Sequence, residues 1–339
     1  MPRSSDLPTL LRVSRLYYEL GETQEAIARI LGITRPHVSK LLKQARAQGV
    51  VEIRIVERTE RPSEVAADLQ GRFGLRGVHL APTFSGSDEL TRRRVGRMAA
   101  QVLLTSVRDG MVVGIGDGSS IAAMASGMDD VARDVAATVV PLCGGFWGAA
   151  GGREPYRRVA EALGATAHGL LAPGLLDDAA TRDALSAHAG IRAVTALWER
   201  LDVAAFGIGG PTWSEAAVGP VVVRELEAGE AVGEVLIAPF DIQGRYIDSS
   251  LRGRTMAFDA RALPGVPITI GIASGSAKVA PVLGALRAGA VSILVTDLDT
   301  AEKVIELAGA GTRDELSGVG PTRSRRRRVA GSIGTGGPS

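Results

Sequence analysis

The chain is poor in the groups that most enzymes and secreted domains are built around. It has one cysteine, Cys143, in 339 residues, so no intramolecular disulfide can form. Its four histidines, His37, His79, His168 and His188, show no metal-ligand spacing, and no metal site is expected. There is no Gly-Lys-Ser/Thr phosphate loop and no Gly-x-Ser-x-Gly nucleophile elbow. No catalytic residue and no cofactor are therefore assigned. Aromatics make up only 4% of the chain, which leaves the cores to Val, Leu, Ile and Ala. No apolar run reaches the length of a membrane span, and Met1 to Leu11 lacks the basic-then-apolar order of a signal peptide. A cytoplasmic location without a membrane partner is the expectation by elimination.

What is present is an ordinary globular composition, 45% hydrophobic and 22% charged, in a length that holds one small and one larger domain. The net charge of +2 is unevenly spread: residues 1–58 carry ten Lys or Arg against six Asp or Glu, and Arg323 and Arg325 to Arg328 form a second basic cluster. Local positive charge is what phosphate backbones respond to.

Residues 7–20 place Leu10, Leu11, Val13, Leu16, Tyr17 and Leu20 at helical spacing before Gly21. Thr23 is positioned to cap a second helix that runs to Leu31, and Gly32 breaks it. A third helix spans about Thr34 to Gln48. This is the pattern of a helix-turn-helix: a small residue where the helices cross (Ala28), a turn glycine (Gly32), and apolar anchors at Ile27, Leu31, Ile33, Val38, Leu41 and Leu42. The anchors leave Thr34, Arg35, Pro36, His37, Ser39, Lys40 and Lys43 on the outer face, where the start of such a helix enters the major groove. Arg35 suits guanine, His37 and Ser39 suit base edges, and Lys40 and Lys43 suit phosphates. Pro36 fits the first helical turn, where its missing N–H costs little. Thr23 and Gln24, at the start of the preceding helix, complete the candidate DNA-binding set. Val51 to Ile55 alternates apolar and polar and reads as a wing strand. The first domain is set at 1–57.

Beyond the charged stretch Arg58 to Pro62 the pattern changes. Apolar runs at Met111 to Ile115, Ala137 to Leu142, Val203 to Ile208, Val232 to Ile237, Ile268 to Ala273 and Ser292 to Thr296 alternate with Ala-rich helical stretches. The expectation for residues 58–310 is an α/β domain, doubly wound around a largely parallel sheet. A Gly-, Ser-, Arg- and Pro-rich end, 311–339, reads as a disordered basic tail.

Two strand-to-helix junctions in this domain stand out. Gly116, Asp117, Gly118, Ser119 and Ser120 form a loop whose N–H groups can approach a ligand, with two hydroxyls beside them. Gly275-Ser276-Ala277-Lys278 opens another helix with a lysine in its first turn, a place the helix dipole disfavours unless an anion sits there. Gly144 and Gly145 end a third strand and would let the chain pass close to a ligand. Cys143 is most simply a core residue.

The run LYYELGETQEAIARILGITRPHVSKLLKQARAQGVVEIRI resembles the N-terminus of the SorC family of sugar-responsive bacterial regulators. The resemblance continues in GIGDGSSI (Gly114 to Ile121), VVPLCGG (Val139 to Gly145), LLAPG (Leu170 to Gly174) and GIASGSAKVAPVLGALRAGAVSILVTD (Gly271 to Asp297). It implies an effector domain related in fold to sugar-phosphate isomerases and CoA transferases. It also implies homo-oligomers, often tetramers, and phosphorylated sugars as frequent effectors. In that pattern Lys278 matches a phosphate-contacting lysine, and Glu234 and Asp241 match acidic positions; exposed acids are common enough that Asp241 reads as structural. Asp117 and Ser119 stand where the family often has an aromatic and an arginine. That substitution leaves two versions open, a phosphorylated effector held by Lys278 or a neutral sugar or polyol held by Asp117.

The expected protein is a transcription regulator, a repressor relieved by a carbohydrate or sugar-phosphate effector. Its expected partners are double-stranded operator DNA and its own copies, as a homodimer or homotetramer. The alternative is an active sugar-phosphate isomerase fused to a DNA-binding domain. It needs a base, for which Asp117, Glu234 and Asp241 are the only nominees.

Overall fold

The computed structural model describes residues 7–51, 61–84, 86–129, 131–145, 154–211 and 213–317, with side chains through 310. The chain divides between Thr59 and Glu60 into two compact units.

The N-terminal unit holds α1 (Leu7–Ser14), continued by a π-helical turn Arg15–Glu19, then α2 (Gln24–Leu31) and α3 (Arg35–Ala47). Thr23 caps α2 by accepting a bond from the Ala26 N–H at 3.1 Å. Gly32 ends α2 in the left-handed conformation, with φ +65°. Leu10 and Val13 of α1, Ile27 and Ala28 of α2, and Val38, Leu41, Leu42 and Ala45 of α3 form its core. Within each helix these positions lie at helical spacing, as Val38, Leu41, Leu42 and Ala45 do on α3, so that one face of each helix turns to the core. Of the expected wing strand, Val51 to Ile55, all but Val51 lies outside the described residues.

The C-terminal unit is built on a seven-stranded sheet in the order β1-β9-β8-β5-β2-β3-β4. Its strands are β1 (Gly77–Ala81), β2 (Val112–Ile115), β3 (Thr138–Pro141), β4 (Thr166–Ala167), β5 (Leu201–Gly207), β8 (Ile268–Ile272) and β9 (Ile293–Asp297); β6 (Gly233–Val235) and β7 (Ala238–Phe240) form a separate hairpin. Every pairing within the seven-stranded sheet is parallel. The helices are α4 (Arg61–Phe73), α5 (Asp88–Ser106), α6 (Ser119–Ser126), α7 (Pro155–Leu163), α8 (Ala179–Ser186), α9 (Ala189–Thr195), α10 (Glu215–Val218), α11 (Pro220–Ala228), α12 (Val279–Arg287) and α13 (Leu298–Ser317).

Two cores sandwich the sheet. On one face Val95, Ala99, Ile121, Met124, Val159 and Leu163, from α5, α6 and α7, pack on Val113, Ile115 and Val203. On the other, Leu69, Ile191, Val194, Val282, Leu286, Ala301 and Val304 pack on Ala204, Phe206 and Leu294. Burial on both faces explains why these strands read as continuous apolar runs. From β2 the chain moves outward to β3 and β4, whereas from β5 it moves the other way, to β8 and β9. The order therefore reverses between β2 and β5, the place in an open α/β sheet where a crevice opens beyond the strands' carboxyl ends.

Two expectations are corrected. The run Val232 to Ile237 is not a strand of the parallel sheet but one arm of the antiparallel β6–β7 hairpin, because the chain reverses at Leu236 and Ile237 with φ +51° and +65°. The helix α13 continues to Ser317, past the point where the tail was expected to begin. The arginine cluster Arg323 and Arg325 to Arg328 lies outside the described residues. No helix among the described residues is long and apolar enough to cross a membrane.

Candidate functional site

At the reversal point the ends of β2, β5 and β8 and the tip of the β6–β7 hairpin line a half-open cavity of about 170 Å³. The sheet brings β2, β5 and β8 side by side, so loops that are far apart in sequence meet here. Gly118 and Gly275 each precede a helical turn with φ +106° and +95°, a region that side-chain-bearing residues avoid, which is why both loops carry glycine there. Ser119 and Ser120 open α6 beside the cavity, and Lys278 closes the 3-10 turn Ser276–Lys278.

Of the residues expected at the site, Asp117, Gly118, Ser119, Ser120, Glu234 and Lys278 line this one cavity. Gly116, Gly144 and Gly145 do not. Gly116 is buried at the end of β2, where its N–H donates to the Ala205 carbonyl at 2.8 Å. Gly144 is small because another stretch of backbone crosses it: a Cβ there would lie 2.4 Å from the Ala172 carbonyl oxygen. Gly145 donates its N–H to that same carbonyl at 3.0 Å. Asp241 lies apart, in a turn. Burial opposes its ionisation, but bonds from the Arg245 N–H and guanidinium and the Gln243 N–H hold its carboxyl below the usual range.

The electrostatics centre on Glu234 and Lys278. Burial raises the Glu234 carboxyl above the usual range, opposed by the Lys278 ammonium; burial lowers Lys278, opposed by Glu234. Cys143 also lines the wall. Its thiol is pushed up to about 12, by burial first and then by the negative charges of Asp117 and Glu234, so it is neutral and unreactive as a nucleophile at physiological pH.

Other wall residues are not anticipated by the sequence reading: Gly207, Ile208, Gly209, Gly210, Leu236 and Ile237. The run Gly207-Ile208-Gly209-Gly210 follows an apolar strand just as the first glycine loop does, so the same signal was there to find. Gly209 and Glu234 exchange two backbone bonds, at 2.9 and 3.2 Å, which fixes Glu234 against the loop. Ile237 in the left-handed region is strained, since a β-branched residue rarely adopts it, and strain of this kind collects at ligand sites. Asp297, at the end of β9, is fully buried behind Gly275. Its carboxylate accepts from the Gly275 N–H (2.9 Å), the Thr300 N–H (3.1 Å) and the hydroxyls of Thr300 (2.7 Å) and Thr83 (3.1 Å).

In the N-terminal unit, Thr34, Arg35, Pro36, His37, Ser39, Lys40 and Lys43 are all exposed along α3, as is Thr23 at the start of α2; Gln24 is half-buried. Arg35 rests 3.8 Å from Glu25 in a solvent-exposed ion pair, too weak to hold it there against a phosphate or base. The arrangement is an exposed, basic face of α3 whose opposite face packs into the three-helix core.

Comparison with known proteins agrees with both units. Residues 57–306 match the sugar-binding domain family, and residues 9–60 match the Crp-like helix-turn-helix domain. The sorbitol operon regulator of Klebsiella pneumoniae is 28% identical over 90% of this chain and 100% of its own length. The deoxyribonucleoside regulator of Bacillus subtilis is 26% identical over 87% of this chain and 96% of its own. The crystal structure of full-length SorC from Klebsiella pneumoniae superposes with a TM-score of 0.74 over 89% of this chain and all of that one. With the helix-turn-helix and the sugar-binding domain both matched in order, the chain belongs to the SorC family of sugar-binding transcriptional regulators.

Proposed function

We propose that the protein is a cytoplasmic repressor that binds operator DNA through α3 and releases it when a small carbohydrate occupies the cavity at the ends of β2, β5 and β8. The observation that carries this reading is the convergence of Asp117, Ser119, Ser120, Glu234 and Lys278 on one small cavity. Carboxylates that accept, an ammonium that donates and hydroxyls that do both match the groups of a sugar. The protein acts as a homodimer or homotetramer, because one helix-turn-helix spans too few base pairs for specificity in a genome. Its role is regulatory rather than catalytic. Burial raises the Glu234 carboxyl above its usual range, but the Lys278 ammonium on the same wall opposes that rise and works against its holding a proton as a general base must.

The test is a thermal-shift screen of the full-length protein over sugars, polyols and their phosphates, since a ligand that prefers the native state raises the midpoint. A hit that also weakens operator binding is the expected result. A screen in which no carbohydrate shifts the midpoint, or turnover of a sugar phosphate at enzymatic rates, overturns the reading.

A further inference from the structure

The charge and hydrogen-bonding state of the cavity wall bear on which class of carbohydrate it takes, an inference that rests on the carbohydrate reading above. The wall holds two carboxylates, Asp117 and Glu234, and one ammonium, Lys278; no arginine or histidine lines it among the described residues. That lone ammonium is already opposite Glu234. The neutral Cys143 thiol senses the same excess of negative charge, since Asp117 and Glu234 both act to keep its proton on.

The acceptors are also unfilled. One Asp117 oxygen accepts from the Gly118 N–H at 2.7 Å. The other has no hydrogen-bond donor among the described residues, and neither does either oxygen of Glu234. Two carboxylates that face a half-open cavity without protein donors suit a ligand that brings protons to donate. Hydroxyls do so, and in turn accept from Lys278, Ser119 and Ser120. A phosphate monoester is acceptor-rich and carries roughly −1.5 to −2 charges at neutral pH. Here it meets two carboxylates against a single ammonium. The volume, about 170 Å³, lies below the roughly 300–1,000 Å³ of sites for drug-sized ligands and suits a single small molecule.

We propose that the effector is an uncharged polyol or unphosphorylated sugar of about monosaccharide size, with Asp117 and Glu234 as the hydroxyl acceptors that select it over phosphate esters. Other basic side chains lie outside the cavity wall. Arg182, Arg252 and Arg261 line a neighbouring cavity that shares Leu236 and Ile237 with it. Arg92, Arg93 and Arg97 line a groove between α5 and α6 that shares only Ser119 with the cavity wall. Arg92 and Arg93 are both paired with Glu89 there.

Calorimetric titration of the full-length protein with matched pairs tests this: tetritols, pentitols, hexitols and hexoses, each beside its phosphate monoester at neutral pH. At least one neutral member is expected to bind, with its monoester weaker by about tenfold or more, the size of one lost hydrogen bond to a charged group. Asp117→Asn and Glu234→Gln, each checked to melt cooperatively, are expected to weaken the neutral ligand and to narrow its advantage over the ester. A monoester that binds as tightly as its neutral parent, or more tightly, overturns the proposal and leaves the carbohydrate reading standing. Loss of that ester binding in Arg97→Ala would then assign its phosphate to the α5–α6 groove. Binding by neither class overturns the proposal and the carbohydrate reading together.

Discussion

Asp297→Asn changes one atom and removes one charge, yet it is expected to loosen the loop that presents Lys278. In the parent, one carboxylate oxygen accepts from the Thr300 N–H and the Thr83 hydroxyl, and the other from the Gly275 N–H and the Thr300 hydroxyl. Whichever way a carboxamide turns, its NH₂ group faces one of those two backbone N–H groups. A threonine hydroxyl can rotate to accept from it, but a backbone N–H cannot. One charge-assisted bond to backbone is therefore lost in a fully buried place, which costs about 1.5–3 kcal/mol. At about 2–4 °C per kcal/mol for a unit of this size, the melting midpoint falls by roughly 3–12 °C. The change also reaches the site, because in either orientation the bond from the Gly275 N–H is lost or no longer meets a negative charge. Gly275 is the residue from which the Ser276–Lys278 turn starts, and the Lys278 N–H donates to the Gly275 carbonyl at 2.9 Å. Effector affinity should fall with stability, while the DNA affinity of the effector-free variant stays that of the parent. Calorimetric melting of the full chain, followed by titration with the effector below the midpoint, measures both. A variant that melts and binds like the parent would refute the positioning role of Asp297.

Further outcomes follow from other residues. Gly209→Ala places a Cβ 2.5 Å from Glu234 Cγ in a segment tied to Glu234 on both backbone sides, so overpacking of about 1–3 kcal/mol should displace that carboxylate and weaken effector binding in a titration. Glu234 is raised by burial, so the folded protein keeps its proton after the unfolded chain has lost its own; ligand-free stability should decline as pH rises above the ordinary value of 4.5, and Glu234→Gln should remove that part of the slope in melts across pH. Arg35→Ala should cost about 1–3 kcal/mol at the cognate operator and relax one base preference in a competition assay. Lys43→Ala should instead weaken all sequences alike and lower the salt slope by about one.

The parts legible in the sequence are those whose signals are local. Helical spacing around Ile27, Val38 and Leu42, punctuated by Thr23 and Gly32, is enough to write the helix-turn-helix, because capping and turn chemistry act within a few residues. The alternation of apolar runs and Ala-rich helices gives the parallel sheet for the same reason. The β6–β7 hairpin is not legible. Its turn is Leu236-Ile237 rather than an Asn-Gly pair, so tertiary packing holds a conformation that neither residue favours, and the run looks like a longer strand. The edge strand β4 spans only Thr166–Ala167, too few residues to show a period. In the candidate site, the loops after β2 and β8 announce themselves through glycine beside hydroxyl or charge. Asp297 does not, because its partners Thr83 and Gly275 lie 214 and 22 residues away and only the fold brings them together. Gly144 shows the converse: a glycine pair at a strand end looks like a ligand approach, but the neighbour it makes room for is the backbone at Ala172.

The most direct measurement is a fluorescence-anisotropy titration of an operator selected in vitro with the full-length protein. It is run with and without the carbohydrate found by calorimetry, for the parent and for Lys278→Ala and Asp117→Asn. Effector is expected to lower the parent's operator affinity, while both variants bind the operator as the parent does without effector but lose part or all of the response. An operator affinity that effector leaves unchanged in the parent, or changes equally in the parent and both variants, would contradict control of DNA binding from this cavity.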